Sequence, residues 1–248
     1  MRLNRLSLLA RPAVASADRI ARKRSPLRTF LRHLHRNQSG LALTEFAFSL
    51  PIFIGLGMYG TEISYLAVVN MQMSQAAINL ADNASRIGQA SSSIISPTIK
   101  ESDILNVFAG TKLQGDRWKL FENGRVIISS LERNTLGGQW IRWQRCKGKG
   151  RYNSAYGPQL TGATSTPLSP TFRGMGPTGR ELTASSGTAV MYVELYYKYE
   201  GLFGDLFIKN RMLRQEAAHN IRDDRNLTLG IVDDSGGQAA TCDKYDAT

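Results

Sequence analysis

Apolar residues crowd into one unbroken stretch early in the chain and afterwards recur only in periodic patterns. From Gly40 to Tyr59 the chain is apolar on every side, and Glu45 is the only charged side chain between Arg36 and Glu62. About 20 such residues in a helix cross the hydrocarbon core of a bilayer, so residues 41–61 are predicted to be a transmembrane helix. The helical pattern continues past that point. Ile63, Leu66, Val69, Met73, Ala77 and Leu80 recur at spacings of three to four, with no Gly or Pro from Glu62 to Ile87; this is the pattern of a helix buried along one face. One helix is therefore expected over Leu41–Ile87, on the order of 70 Å long and far longer than a bilayer needs. Residues 62–88 would be its extramembrane half, forming the core of a domain over 89–248. Pro51 removes one backbone hydrogen bond inside the span and predicts a kink. Gly88 and Ser91, Ser92 and Ser93 are expected to end the helix.

After a short helical segment at Ser102–Phe108, the period changes to two. Arg125–Leu131 is β-rich, and Gln139–Cys146 alternates Trp140, Arg142 and Gln144 against Ile141, Trp143 and Arg145. The Gly137-Gly138 pair between them predicts a hairpin. Residues 147–186 are dominated by Gly, Ser, Thr and Pro and are expected to form a flexible surface loop, too irregular for a core. Ala189–Tyr199 is the strongest strand, with Met191, Val193, Leu195 and Tyr197 on one face and Tyr192, Glu194, Tyr196 and Lys198 on the other; it is expected to lie centrally. Leu202–Ile208 suggests a short helix or turn. Met212–Arg222 suggests a last strand, with a helix as the alternative because Gln215, Glu216, Ala217 and Ala218 favour one. The fold class is thus α+β: a long N-terminal helix, half transmembrane and half periplasmic, packed on a small antiparallel sheet.

Charge changes the picture mainly at the N-terminus. The chain of 248 residues carries a formal +11, but residues 1–40 hold ten Arg or Lys against the single Asp18, leaving only +2 over 41–248. The basicity is therefore local and argues against a nucleic-acid-binding domain. A polybasic flank before a span is the positive-inside signal, which keeps the N-terminus cytoplasmic and sends the C-terminal domain outward. The Arg-rich, acid-poor composition of residues 1–40 also fits an organelle transit peptide, whereas a secretory signal peptide fits less well. Cys146 and Cys242 fall in the portion expected outside, where thiols oxidise, and one disulfide between them is the economical reading. Two unpaired buried cysteines are the alternative. The tail, with Asp223, Asp224, Asp233 and Asp234 before Cys242, would then be held against the hairpin.

Catalytic and ligand motifs are weak. Gly174-Met175-Gly176-Pro177-Thr178-Gly179 matches G-x-G-x-x-G literally, but it follows no strand and opens no helix. Gly148-Lys149-Gly150 lacks the phosphate-loop spacing. His33, His35 and His219 are scattered, so neither a zinc site nor a nucleophilic triad assembles from them. The acidic pairs near the tail suit a solvated turn better than a calcium site. No enzymatic activity and no cofactor are expected.

Glu45 is the informative residue. A carboxylate in hydrocarbon costs on the order of 2.5 to 3.5 kcal/mol and commonly marks function. With its surroundings, Gly40-Leu41-Ala42-Leu43-Thr44-Glu45-Phe46 resembles the processing site of type IV prepilins, specifically that of the TadE/TadF-like pseudopilins of the tight-adherence (Flp) pilus system. The resemblance extends through Ala47 to about Glu62, including the proline at Pro51 and the acid after the span, and covers perhaps a quarter of the chain. It implies cleavage after Gly40 by a membrane prepilin peptidase, with Leu41 as the new N-terminus. It also implies that Glu45, one turn on, compensates the new ammonium within a subunit or between neighbours. The 89–248 domain is much larger than a major Flp pilin, so the resemblance implies a minor pseudopilin of the bacterial inner membrane that assists assembly of an adhesive pilus. Its implied partners are the prepilin peptidase, other pilins and pseudopilins, and the pilus assembly platform. The alternative is an uncleaved signal anchor carrying a periplasmic binding or adhesin-like module, with 147–186 touching a ligand.

Overall fold

In a computed structural model the long helix forms as one element, α2 (Ser39–Ser85), 47 residues long and continuous through Pro51. The structure describes residues 26–37, 39–88, 97–222 and 225–247. It divides into two units, residues 1–54 and 55–248. The expected terminating run Ser91–Ser93 and the acidic pair Asp223 and Asp224 lie outside the described residues. Within them, the helix ends two residues before Ile87, and Gly88 takes the left-handed conformation (φ 100°) that lets the chain turn away.

The first unit holds α1 (Pro26–Arg36) and the start of α2. The charge and composition of residues 1–40 predict no helix, yet residues 26–36 are helical. Leu27, Phe30, Leu31 and Leu34 recur at three and four, which places them on one face of α1, and all are exposed. On α2 in this unit, Leu41, Leu43, Phe46, Phe48, Ile52 and Phe53 are all more than half exposed.

In the second unit α2 meets a sheet. Its elements, in order, are β1 (Ile99–Lys100), α3 (Glu101–Gly115), a 3-10 turn (Asp116–Trp118), α4 (Leu120–Asn123), β2 (Gly124–Arg133), β3 (Gln139–Lys147), β4 (Ala189–Lys198), β5 (Met212–Asn220) and β6 (Ile231–Val232). The main sheet is antiparallel in the order β3-β2-β4-β5, so β4 is internal as its pattern predicted. β1 and β6 form a separate parallel pair of two residues each, too short to be read from sequence. The Gly137-Gly138 hairpin forms as expected, with Gly137 at φ 86°.

Some elements differ from expectation for identifiable reasons. The predicted short helix at Ser102–Phe108 extends to Gly115. Asp103 accepts the Lys100 N–H at its start (3.1 Å), and at its end a Cβ on Gly115 would stand 2.6 Å from Leu120 Cβ. The expected last strand forms over Met212–Asn220, stopping short of Arg222, and its helix-favouring residues do not make the alternative helix, because it pairs with β4 along nine registered positions from Val190↔Asn220 to Lys198↔Met212. Tertiary pairing overrides local propensity there.

Both faces of the sheet are covered. One packs against the second half of α2: Val126, Ile128, Met191, Val193, Leu195 and Tyr197 share a core with Val69, Met73, Ala77, Leu80 and Ala84. The other face corrects the expectation for 147–186. That segment is irregular, as predicted, but it belongs to the core: Met175 and Ala184 pack on Leu131, Ile141, Val190 and Tyr192, with Tyr156 and Phe172 beside them. Its only β-bridge among the described residues joins Met175 to Leu182. Its backbone exchanges two hydrogen bonds with Ile141 of β3, through the Leu160 N–H and the Thr161 carbonyl, and side chains supply further partners. Asn134 donates to the carbonyls of Gly162, Ala163 and Ser165, Gln139 exchanges two hydrogen bonds with Ala184, and buried Glu194 accepts from Ser154 Oγ and the Ala155 N–H. A buried backbone group must find a partner, and these amides and carboxylates supply several where no ladder runs.

The C-terminal segment returns to the sheet as expected. Cys146 and Cys242 form a disulfide across a separation of 96 residues. It is not the sole tether. Fully buried Arg125 donates to the carbonyls of Gly148, Lys244 and Cys242, with its guanidinium 4.1 Å from the Tyr245 ring centroid. Glu101, also fully buried, pairs with Arg145 at 2.8 Å and accepts the Ala240 N–H.

Glu132, at the end of β2, is 5% exposed and accepts a hydrogen bond from Ser130 Oγ at 2.8 Å. Burial pushes its carboxyl from an ordinary 4.5 to about 7, against the pull of Ser130, Arg142 and Arg225. Between those values the folded chain keeps a proton that the unfolded chain has lost, so stability falls as pH rises from 4.5 to 7 and is constant above. Glu132→Gln is expected to remove that slope and to be the more stable form at pH 8, by up to about 3 kcal/mol. Urea unfolding of both proteins from pH 4 to 8 measures this.

Candidate functional site

The residues singled out in the sequence lie along the first half of α2. Gly40 and Leu41 are in its first turn, and nothing lies within 4 Å of the position a Gly40 Cβ would take. Leu41 is 59% exposed and Phe46 is 58% exposed. A protease binds extended backbone, so cutting between Gly40 and Leu41 requires this turn to open. An N-terminal turn opens cheaply, because its N–H groups have no partner within the helix. Glu45 is exposed and stands one turn beyond Leu41, whose carbonyl accepts the Thr44 hydroxyl at 2.8 Å. Pro51 lies farther along the helix and is also exposed.

This half of the helix is long and apolar enough to cross a membrane, and its most apolar window is entirely unburied. Burying a large aliphatic or aromatic side chain is worth about 1.5 to 3 kcal/mol. Many such side chains are left bare on this helix, as a membrane-spanning helix leaves them.

The environment changes at Glu62. Its side chain is fully buried, and the carboxylate accepts the Tyr199 hydroxyl at 2.6 Å and the Phe203 N–H at 3.2 Å. Burial and the neighbouring carboxylate hold the Tyr199 hydroxyl well above its ordinary pKa, so it remains a donor. Gly201 makes the approach possible: a Cβ there would come within 2.5 Å of Glu62 Oε1. The turn at 201–207 thus closes over the helix at the end of the predicted span, with Phe207 edge-on to Tyr59 at a centroid distance of 5.8 Å.

Compared with protein-family profiles, curated proteins and solved structures, the chain matches none.

The weaker motifs are accounted for by the fold. Gly174 and Gly176 adopt positive φ beside the Met175–Leu182 bridge, where Gly174 has Leu182 O within 2.1 Å of its Cβ position; these glycines make a turn. Asp233 accepts from Ser235, and Asp234 accepts both the backbone N–H and the hydroxyl of Ser102. His33 and His35 are on α1, and His219 is on β5. Among the described residues, no three His, Cys, Asp or Glu side chains gather where they would hold a metal ion.

The buried contact of Glu62 was not read from the sequence, although a signal was present. Glu62 precedes Leu66, Val69 and Met73 by 4, 7 and 11 positions, which puts it in register with the apolar stripe. An acid on a buried stripe calls for donors, and nothing local indicates that Tyr199 and Phe203 provide them. Glu62→Ala is expected to destabilise the domain by about 1 to 3 kcal/mol, since the buried Tyr199 hydroxyl and the partly buried Phe203 N–H lose the carboxylate they donate to. Glu62→Gln, which keeps an acceptor oxygen, is expected to lose less. Thermal unfolding of the two variants in detergent measures the difference.

Proposed function

We propose that this chain is a minor pseudopilin of the TadE-like kind, taking part in assembly of a tight-adherence pilus. The observation that carries the reading is an arrangement along one helix. Five residues after Gly40, Glu45 is the lone charge on an apolar, exposed stretch, and that stretch continues without a break into the core of an α+β domain. A simple anchor needs no carboxylate there, and a soluble core helix would not leave its first half bare.

On this reading the basic N-terminal segment stays in the cytoplasm, the span crosses the bacterial inner membrane, and the disulfide-bonded domain lies in the periplasm. A prepilin peptidase cuts between Gly40 and Leu41. The freed ammonium of Leu41 then lies one helical turn from Glu45, in the same subunit or in a neighbour, and compensates a charge that would otherwise be costly in lipid. Other pilins and the assembly platform engage the bare half of α2. The protein acts through assembly and catalyses no reaction.

The mature N-terminus is expected to be Leu41, and Gly40→Leu is expected to leave the precursor uncut; N-terminal sequencing and intact mass of membrane-extracted protein report both. A native N-terminus upstream of Gly40 would instead favour an uncleaved anchor carrying a periplasmic binding module. Glu45→Ala is expected to be cut normally but to lower the number of surface pili, counted by electron microscopy. Normal piliation in that strain would remove the role given to Glu45.

A further inference from the structure

We infer that the turn at 201–207 is a second membrane contact, seated in the headgroup layer of the bilayer that α2 crosses. The inference rests on reading α2 as a membrane span and does not depend on pilus assembly.

The turn presents apolar side chains where a soluble turn would present polar ones. Leu202 is 53% exposed, Leu206 is 65% exposed, and Phe203 is also exposed. They are held in place. The Glu62 carboxylate fixes the Phe203 N–H, Gly204 donates its N–H to the Gly201 carbonyl at 3.2 Å, and Phe207 lies edge-on to both Tyr59 and Phe203. A turn fastened in this way cannot fold its Leu and Phe side chains inward.

Its place on the helix names the occupant. The turn is bound to residues 59–62, at the end of the predicted span, so its exposed side chains continue the apolar surface of Leu56, Tyr59 and Ile63. Aromatic side chains are favoured at this depth, where a ring meets both acyl chain and headgroup. Lys209 and Arg211 follow the turn and are exposed, while Asp205 is the one acid at its tip, a balance that suits an anionic headgroup layer. A membrane therefore meets the patch by continuity with the span and by charge. Seated there, the turn would fix how deep the domain rides and limit its rotation about α2.

The test uses the full chain in vesicles of phosphatidylcholine mixed with phosphatidylglycerol. The described cysteines are both in the disulfide, so a cysteine introduced at one position can carry an environment-sensitive fluorophore selectively. Leu206→Cys is the reporter, Phe53→Cys reports the span, and Leu168→Cys, at a fully exposed position in 147–186, reports water. Label at 206 is expected to shift to the blue and to be quenched by a lipid carrying a nitroxide high on its acyl chain, and label at 53 by a lipid carrying it near the end of the chain, with label at 168 unaffected by either. If label at 53 is quenched while 206 behaves like 168, the turn is in water and the inference is overturned with the span intact. If label at 53 is itself unquenched, the span reading fails and takes the inference with it. A blue shift at 206 that grows with protein-to-lipid ratio and resists the nitroxide lipid would assign the patch to a protein partner and overturn the membrane contact.

Discussion

One helix has to satisfy two different surroundings, and the rest of the molecule follows from that constraint. Up to about Tyr59, α2 is apolar on all sides and its large side chains are bare. From Val69 onward it is apolar on one side only, and that side is filled by a sheet. The change shows in residue size as well as in pattern. Phe and Ile populate the bare half, whereas Ala76, Ala77, Ala81 and Ala84 populate the packed half, which shares its core with the sheet. Glu62 stands between the two regimes, and its buried carboxylate ties the 199–203 segment to the helix.

The sheet has a constraint of its own. β2 is buried almost throughout, so both of its faces need cover, and α2 can serve only one. The other is covered by a segment with almost no regular structure, held by a few backbone hydrogen bonds to the sheet and by side-chain amides and carboxylates. Asn134 is the clearest case: it sits in the hairpin turn, donates to three carbonyls of 162–165 and accepts the N–H groups of Leu136 and Gly138. The turn that joins β2 to β3 therefore also organises the cover of the second face. Arg125 and Glu101 do similar work for the C-terminal tail, beside the disulfide.

The two acids of α2 illustrate opposite ways of carrying a charge in apolar surroundings. Glu62 is satisfied inside its own subunit by Tyr199 and Phe203. Glu45 is exposed on the bare half of the helix, and the proposed function gives it a partner that exists only after processing or assembly. A carboxylate already satisfied within its domain serves that domain's stability, whereas one left exposed on an apolar surface is available to something outside it.

The sequence by itself determined what depends on short-range pattern. The extent of α2, the hairpin around Gly137-Gly138, the central place of β4 with its two-faced alternation, and the cysteine pair all follow from periodicity, turn chemistry and composition. So does the choice of Gly40, Leu41 and Glu45 as the residues to test, since a lone charge in an apolar run stands out without any fold. What only the tertiary structure decided are the long-range contacts of irregular backbone. The core role of 147–186, the two-residue β1–β6 pair and the Glu62–Tyr199–Phe203 contact have no periodic signature. Each is set by partners dozens of residues or more away, and Gly, Ser, Thr and Pro in a chain segment report that its backbone is irregular without reporting which side chains elsewhere satisfy it.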